Sequence, residues 1–174
     1  MEYNTMEYKT RHPLVIPVLL LIIAYEWLIA SVDKLLTKNY LENMHKQMVQ
    51  SVSGIQFHPY ASLFKSVGIP QSQLIGTLVL IGELVVGLTF AIVAIQIFRG
   101  KMSSALAKCG FAAAIIAAFM SINYALLGGD TLFVDPSNAF QESISVDWIL
   151  FLFEVTFAFF FYSVSKRSVA SKVE

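Results

Sequence analysis

"LIIAYEWLIASVDKLL", residues 20–35, decides how this chain is read. Most of it would sit in hydrocarbon, yet Glu26 lies within it and Asp33 and Lys34 close it as adjacent opposite charges. A charged side chain at the centre of a membrane helix costs about 2.5–3.5 kcal/mol on insertion scales. Glu26 must therefore be compensated or used.

The remainder has the same apolar character. The 174 residues are 56% hydrophobic and 14% charged, with mean hydropathy +0.66, whereas soluble domains are about a quarter charged. Crossing the hydrocarbon core takes about 20 apolar residues. Segments of about that length cover residues 13–36, 74–98, 104–127 and 146–164. Lipid offers no partner for a backbone N–H or C=O, so all four are predicted helical. The expected fold is all-α: an integral membrane four-helix bundle forming a single transmembrane domain over residues 1–174. The first apolar run is not read as a signal peptide, because it continues past Glu26 and Trp27 without a small-x-small cleavage site.

Charge placement predicts orientation. Lys9, Arg11, Arg99, Lys101, Lys108, Lys166, Arg167 and Lys172 all fall on one side, whereas the loop from Gly128 to Ser145 carries only Asp130, Asp135 and Glu142. Basic residues gather on the cytoplasmic face, so both termini are expected in the cytoplasm of a multi-pass cell-membrane protein. The long outward connection is not linker-like. In "KNYLENMHKQMVQSV" Tyr40, Met44, Met48 and Val52 recur at near-helical spacing among polar residues, which predicts an amphipathic helix at the interface. The following "GIQFHPYASLFKSVGIP" is expected to cap the bundle mouth.

Several chemistries are disfavoured. Zero formal net charge offers nothing to nucleic acid. A single cysteine, Cys109, cannot form a redox pair or hold an iron–sulfur cluster. His12, His45 and His58 lie outside strongly apolar runs, so neither a metal centre nor a haem is expected in this chain.

At about 1.5 Å per residue, Glu26 and Glu154 lie about 12 Å below the outer ends of their spans, and Glu83 about 13 Å. Asn123 and Tyr124 are shallower, at about 6 Å. The economical expectation is one inward-facing polar pocket shared by Glu26, Glu83 and Glu154. Lys34 is the nearest candidate counter-charge, and Gly76, Gly82 and Gly87 allow close helix approach around Glu83. The blander expectation is that these polar groups only hold helices together.

Two stretches carry a family resemblance. "WLIASVDKLL" closes the first span with small residues and then lysine-leucine; "IGTLVLIGELVVGLTFAIV" sets a glutamate among glycines in the second. In both, and in its four-span layout with a long first outer loop, the chain resembles the DoxX/DoxD family. Where that family often has glycine before the lysine, this chain has Ala30 and Ser31. The loop and chain length are most similar to the small subunit of thiosulfate:quinone oxidoreductases, also described as a quinol oxidase subunit. The resemblance implies oxidation of thiosulfate to tetrathionate, transfer of two electrons to quinone, and a second subunit resembling DoxA or a larger respiratory complex. On that reading Glu26, Glu83 and Glu154 would be the catalytic proton donors. Trp27, Asn123 and Tyr124 would bind quinone, and Asp33, Lys34, Lys38, His45 and His58 would form an outer anion-attracting mouth. A non-catalytic accessory or scaffolding subunit is the alternative, and a small proton-conducting transporter a third.

Overall fold

A computed structural model describes residues 14–129 and 145–170, side chains being described as far as Lys166. The basic residues Lys9, Arg11, Arg167 (side chain) and Lys172, and the acidic Asp130, Asp135 and Glu142, lie outside the described residues. Long apolar sequences become long helices: α1 (Val15–Leu36), α4 (Ser72–Phe98), α5 (Ser104–Gly128) and α6 (Val146–Ala170). Each contains a stretch long and apolar enough to cross a membrane. Between α1 and α4 lie α2 (Tyr40–Ser51), the short α3 (His58–Leu63) and a π-helical turn, Phe64–Gly68. The fold is thus all-helical among the described residues, a four-helix membrane bundle with an amphipathic helix in the first connection.

Backbone chemistry sets the joints. Thr37 leaves the helix in an extended conformation and Asn39 adopts φ 58° before α2 begins. Asparagine tolerates that left-handed geometry better than most residues. Ser103 caps α5, its hydroxyl accepting from the Leu106 N–H at 3.2 Å. Gly129 ends α5 with φ 74°, donating to the carbonyls of Ala125 and Leu126. A side chain at Gly129 would also fall 2.6 Å from the Gly54 carbonyl oxygen. The end of α5 and the connection after α2 therefore approach too closely here for a side chain.

In the bundle α1 packs on α4, α4 on α5 and α5 on α6, while α2 lies across α4 and touches α5. The end bearing α2 and α3 is here termed the cap end. Small residues set the spacings. The buried ridge of α5 is Ala107, Gly110, Ala113, Ala114, Ala117, Ala118 and Ser121, and the Phe161 ring of α6 lies directly over Gly110. The three glycines of α4 serve three neighbours. A Cβ would meet Leu41 of α2 at 3.0 Å from Gly76, Met120 of α5 at 3.0 Å from Gly82, and Leu28 of α1 at 2.7 Å from Gly87. The Gly87 contact also reaches the Leu28 backbone nitrogen at 3.0 Å, which cannot turn aside. Gly87→Val is expected to destabilise the bundle by about 1–3 kcal/mol through overpacking, read as a lowered Tm in detergent.

Two apolar cores result. The larger joins Leu20, Trp27, Phe90, Ala117, Phe157 and Phe161 from all four long helices. The smaller joins Met48, Ile55, Ala61 and Phe64 beneath the cap. The outer surfaces of the long helices expose large apolar side chains, among them Ile22, Leu78, Phe119 and Phe159. Such a surface suits acyl chains as its surroundings.

Candidate functional site: a buried ion pair between an apolar cleft and a polar vestibule

Glu83 stands on the inner face of α4, in line with the buried Val86, Gly87 and Phe90 at spacings of three, four and seven. Its side chain is fully buried. Lys34, from the last turn of α1, places its Nζ 2.8 Å from Glu83 Oε1. The Tyr124 hydroxyl donates to the same oxygen at 2.6 Å. Glu83 Oε2 has no partner among the described residues, and neither does the buried hydroxyl of Ser31. The carboxylate thus has a cation and a phenol on one oxygen and unpartnered lone pairs on the other.

Glu154 forms a second, separate cluster. It is fully buried on α6 in line with Phe157, Ala158 and Phe161. Trp27 Nε1 donates to Oε1 at 2.9 Å and the Ser121 hydroxyl to Oε2 at 2.7 Å. Both oxygens are satisfied by neutral donors from α1 and α5, so this carboxyl ties three helices together. The Trp27 and Tyr124 rings, 6.3 Å apart between centroids, are where the two clusters meet.

The expected shared pocket of three carboxyls is therefore corrected. Glu26 is exposed on α1 and makes no hydrogen bond or ion pair with any described residue. Residues three, four and seven apart share a helix face, and Glu26 shares its face with the exposed Ile22, Ile29 and Asp33. Its neighbour Trp27, about 100° around the axis, takes the buried position instead. Glu83 and Glu154 occupy two distinct polar clusters, not one.

Two cavities flank Tyr124. One is an apolar cleft of about 500 Å³ between α4 and α5 beneath the cap. Gly82, Met120, Asn123 and Tyr124 line its depth, and Tyr60, Phe64, Met44 and Met48 roof it. Leu63, Val67, Leu78, Ile116 and Phe119 rim it, each 44% or more exposed, so its mouth opens sideways toward lipid. The other is a polar vestibule of about 530 Å³ at the cap end, lined by Asp33, Lys34, Tyr40, Asn43, Gln47 and Asp147 among others. Met44, Met48, Val79, Tyr124 and Leu127 border both. Tyr124 is the polar group on that shared wall.

Asn123 and Tyr124 line the apolar cleft, whereas Trp27 borders neither cavity and is spent on Glu154. The expected anion-attracting mouth is not assembled. Lys34 is committed to Glu83, and the vestibule it lines contains Asp33 and Asp147 but neither His45, His58 nor Lys38. His45 Nδ1 lies 2.7 Å from the Ser72 hydroxyl, and His58 is exposed at the start of α3. Lys46 pairs with Glu42 at 2.7 Å, one turn away on α2, which holds the Glu42 carboxyl below its usual range. Two acids beside one neutralised lysine make the vestibule a poor seat for a dianion.

Two tyrosines complete the site that sequence reasoning did not find. Tyr60 of α3 donates to Asn123 Oδ1 at 2.8 Å, and Tyr40 of α2 donates to the Gly76 carbonyl at 3.4 Å. Burial pushes both phenols up to about 12; for Tyr40 the Glu83 charge adds to it. A phenol whose folded pKa exceeds its unfolded value of about 10 contributes stability that is complete below pH 10 and lost as pH rises toward 12. Spectrophotometric titration is expected to show Tyr40 and Tyr60 ionising late, and Tyr40→Phe with Tyr60→Phe to remove that late phase.

Fold and site together define a class: a multi-pass four-helix membrane protein with a lysine–glutamate pair behind the tyrosine that closes a lipid-facing cleft. Compared with family models, with curated proteins and with solved structures, the chain matches none. The two stretches of α1 and α4 quoted above are the ones that supply Lys34 and Glu83.

Proposed function

We propose that this chain is the membrane subunit of a respiratory oxidoreductase in the cell membrane, and that it binds quinone and quinol in the apolar cleft at Tyr124. The observation that carries the reading is the position of Tyr124, which closes an apolar cleft on one side and bonds to the ion-paired Glu83 on the other. Pockets of about 300–1,000 Å³ with mostly apolar walls and a few polar groups are typical of small-molecule sites. A quinone ring with an isoprenoid tail fits that description, the tail leaving through the lipid-facing mouth. Reduction of a quinone consumes two electrons and two protons, and the vestibule behind Tyr124 offers a polar approach for the protons.

The resting hydrogen bonds favour one redox form. The hydroxyl hydrogens of Tyr60 and Tyr124 are spent on Asn123 and Glu83, which leaves oxygen lone pairs facing a ligand. A quinol, with two hydroxyl donors, matches these acceptors directly. A quinone carbonyl needs Tyr124 to turn its hydrogen away from Glu83. Two thiosulfates giving tetrathionate would supply the two electrons in the proposed reaction. Because Asp33 and Asp147 line the vestibule, that dianion's oxidation is assigned in this reading to a second subunit resembling DoxA rather than to this chain.

The test is calorimetric titration of the protein in nanodiscs with a short-chain quinol and its quinone. Saturable binding with quinol the tighter ligand is expected, and Tyr124→Phe is expected to weaken quinol binding about five- to tenfold, the worth of one hydrogen bond. Absence of saturable binding of either form discards the reading. A non-catalytic accessory role is the second reading, and one observation favours it: Glu154, placed among the proton donors by sequence alone, has both oxygens occupied as a tie between helices.

A further inference from the structure

Glu26 has no counterpart among the described residues. It sits ten residues from the cap end and eleven from the other end of α1, so it lies near mid-membrane, about 15 Å from either end. It is exposed, borders neither cavity at Tyr124, and makes no bond to any described residue. Residues two apart on a helix lie about 160° apart around its axis. Leu28 is the residue that α1 presses against Gly87 of α4, so Glu26 looks away from α4. α6 meets α1 at the Trp27–Glu154 bond and shares the larger core with Leu20 and Trp27, whereas Glu26 stays exposed among the described residues. The face around Glu26 is otherwise apolar, with Ile22 and Ile29 one turn to either side.

We infer that this flank of α1 is the docking face for a transmembrane helix of a different polypeptide, one that carries a lysine or arginine near mid-membrane to pair with Glu26. Charge complementarity selects the occupant. A second copy of this chain has no such cation to give among its described residues. Lys34 is held by Glu83. Lys108 lies about 6 Å from the end of α5, and Lys166, in the last two turns of α6, stands over the Tyr162 ring at 4.8 Å. Two copies facing through this flank would also bring Glu26 toward Glu26. The inference rests on the four spans lying in a membrane and not on the quinone reading.

The test uses the full-length protein in lipid vesicles, labelled with a donor fluorophore on its single cysteine, the exposed Cys109. The probes are three acceptor-labelled leucine–alanine membrane-spanning peptides with lysine, leucine or glutamate at the centre. The lysine peptide is expected to associate about tenfold more tightly than the leucine peptide, a difference of 1.4 kcal/mol. Glu26→Gln should abolish that preference, and Glu26→Lys should transfer it to the glutamate peptide. Equal association of the three peptides, or a preference that survives Glu26→Gln, overturns the inference. Self-association of differently labelled copies that disappears in Glu26→Gln also overturns it, by assigning the face to a second copy. Quinol titration of Glu26→Gln separates the two readings, because the cleft and its affinity should be unchanged.

Discussion

Lys34→Met is expected to destabilise the protein by about 3–5 kcal/mol, the usual cost of breaking a buried pair from one side. Glu83 has no exposed surface, and Lys34 is its only cationic partner among the described residues. Without it the carboxylate keeps one phenolic hydrogen bond and an oxygen with no partner. Because the lysine side chain itself retains 24% exposure, the lower end of that range is the better expectation. The decisive comparison is the double variant. Lys34→Met with Glu83→Leu removes both charges together and should recover most of the loss, because replacing a buried ion pair with apolar groups is often neutral or stabilising. Thermal unfolding in detergent at matched pH reads both. If the double variant is as unstable as the single one, the pair is not what holds α1 to α4 at this level.

Trp27→Phe should cost about 1–3 kcal/mol, the penalty of leaving one buried carboxyl oxygen without its donor. Phenylalanine retains much of the ring but not the indole N–H that reaches Glu154 at 2.9 Å. Trp27→Ala adds a cavity in the larger core and should cost about 3–5 kcal/mol. The signature of the hydrogen bond is non-additivity. Once Glu154→Leu has removed the acceptor, Trp27→Phe should have little further effect, giving a coupling of about 1 kcal/mol or more in the double-mutant cycle. Equal losses in both backgrounds would place the effect in packing alone.

These two clusters mark where the sequence could be read and where it could not. The four spans were legible because a run of some 20 apolar residues has few other uses. The cap helix α2 was legible because Met44 and Met48 repeat at helical spacing between Glu42, Asn43, Lys46 and Gln47. The nearness of Lys34 to a glutamate was legible because Lys34 and Lys108 are the only cations within the four spans read from the sequence, and Lys108 lies at the opposite end. The direction in which each glutamate points was not. In a soluble helix a polar face reveals the buried one. Here α1 is apolar on the lipid side and the core side alike, so Ile22, Ile29 and Leu20 give no contrast. Nothing in composition separates Glu26 from Glu83. A weaker signal was present in α5, whose small residues from Ala107 to Ser121 trace the packed ridge, and Ser121 lies on it. Tyr60 meets Asn123 across 63 residues and Tyr40 meets Gly76 across 36. No local pattern predicts contacts that depend on how the first connection folds back over the bundle.

The sideways mouth of the apolar cleft has a consequence for anyone measuring what enters it. Leu63, Val67, Leu78, Ile116 and Phe119 frame that entrance with exposed apolar side chains, so an occupant arrives from the acyl phase instead of from bulk water. Occupancy then follows the mole fraction of the compound among lipids. Adding more bilayer to a fixed amount of compound should empty the site, and a more greasy analogue should look more potent in molar units without gripping the protein any harder. Dose–response curves collected at different lipid-to-protein ratios should superimpose only when plotted per lipid.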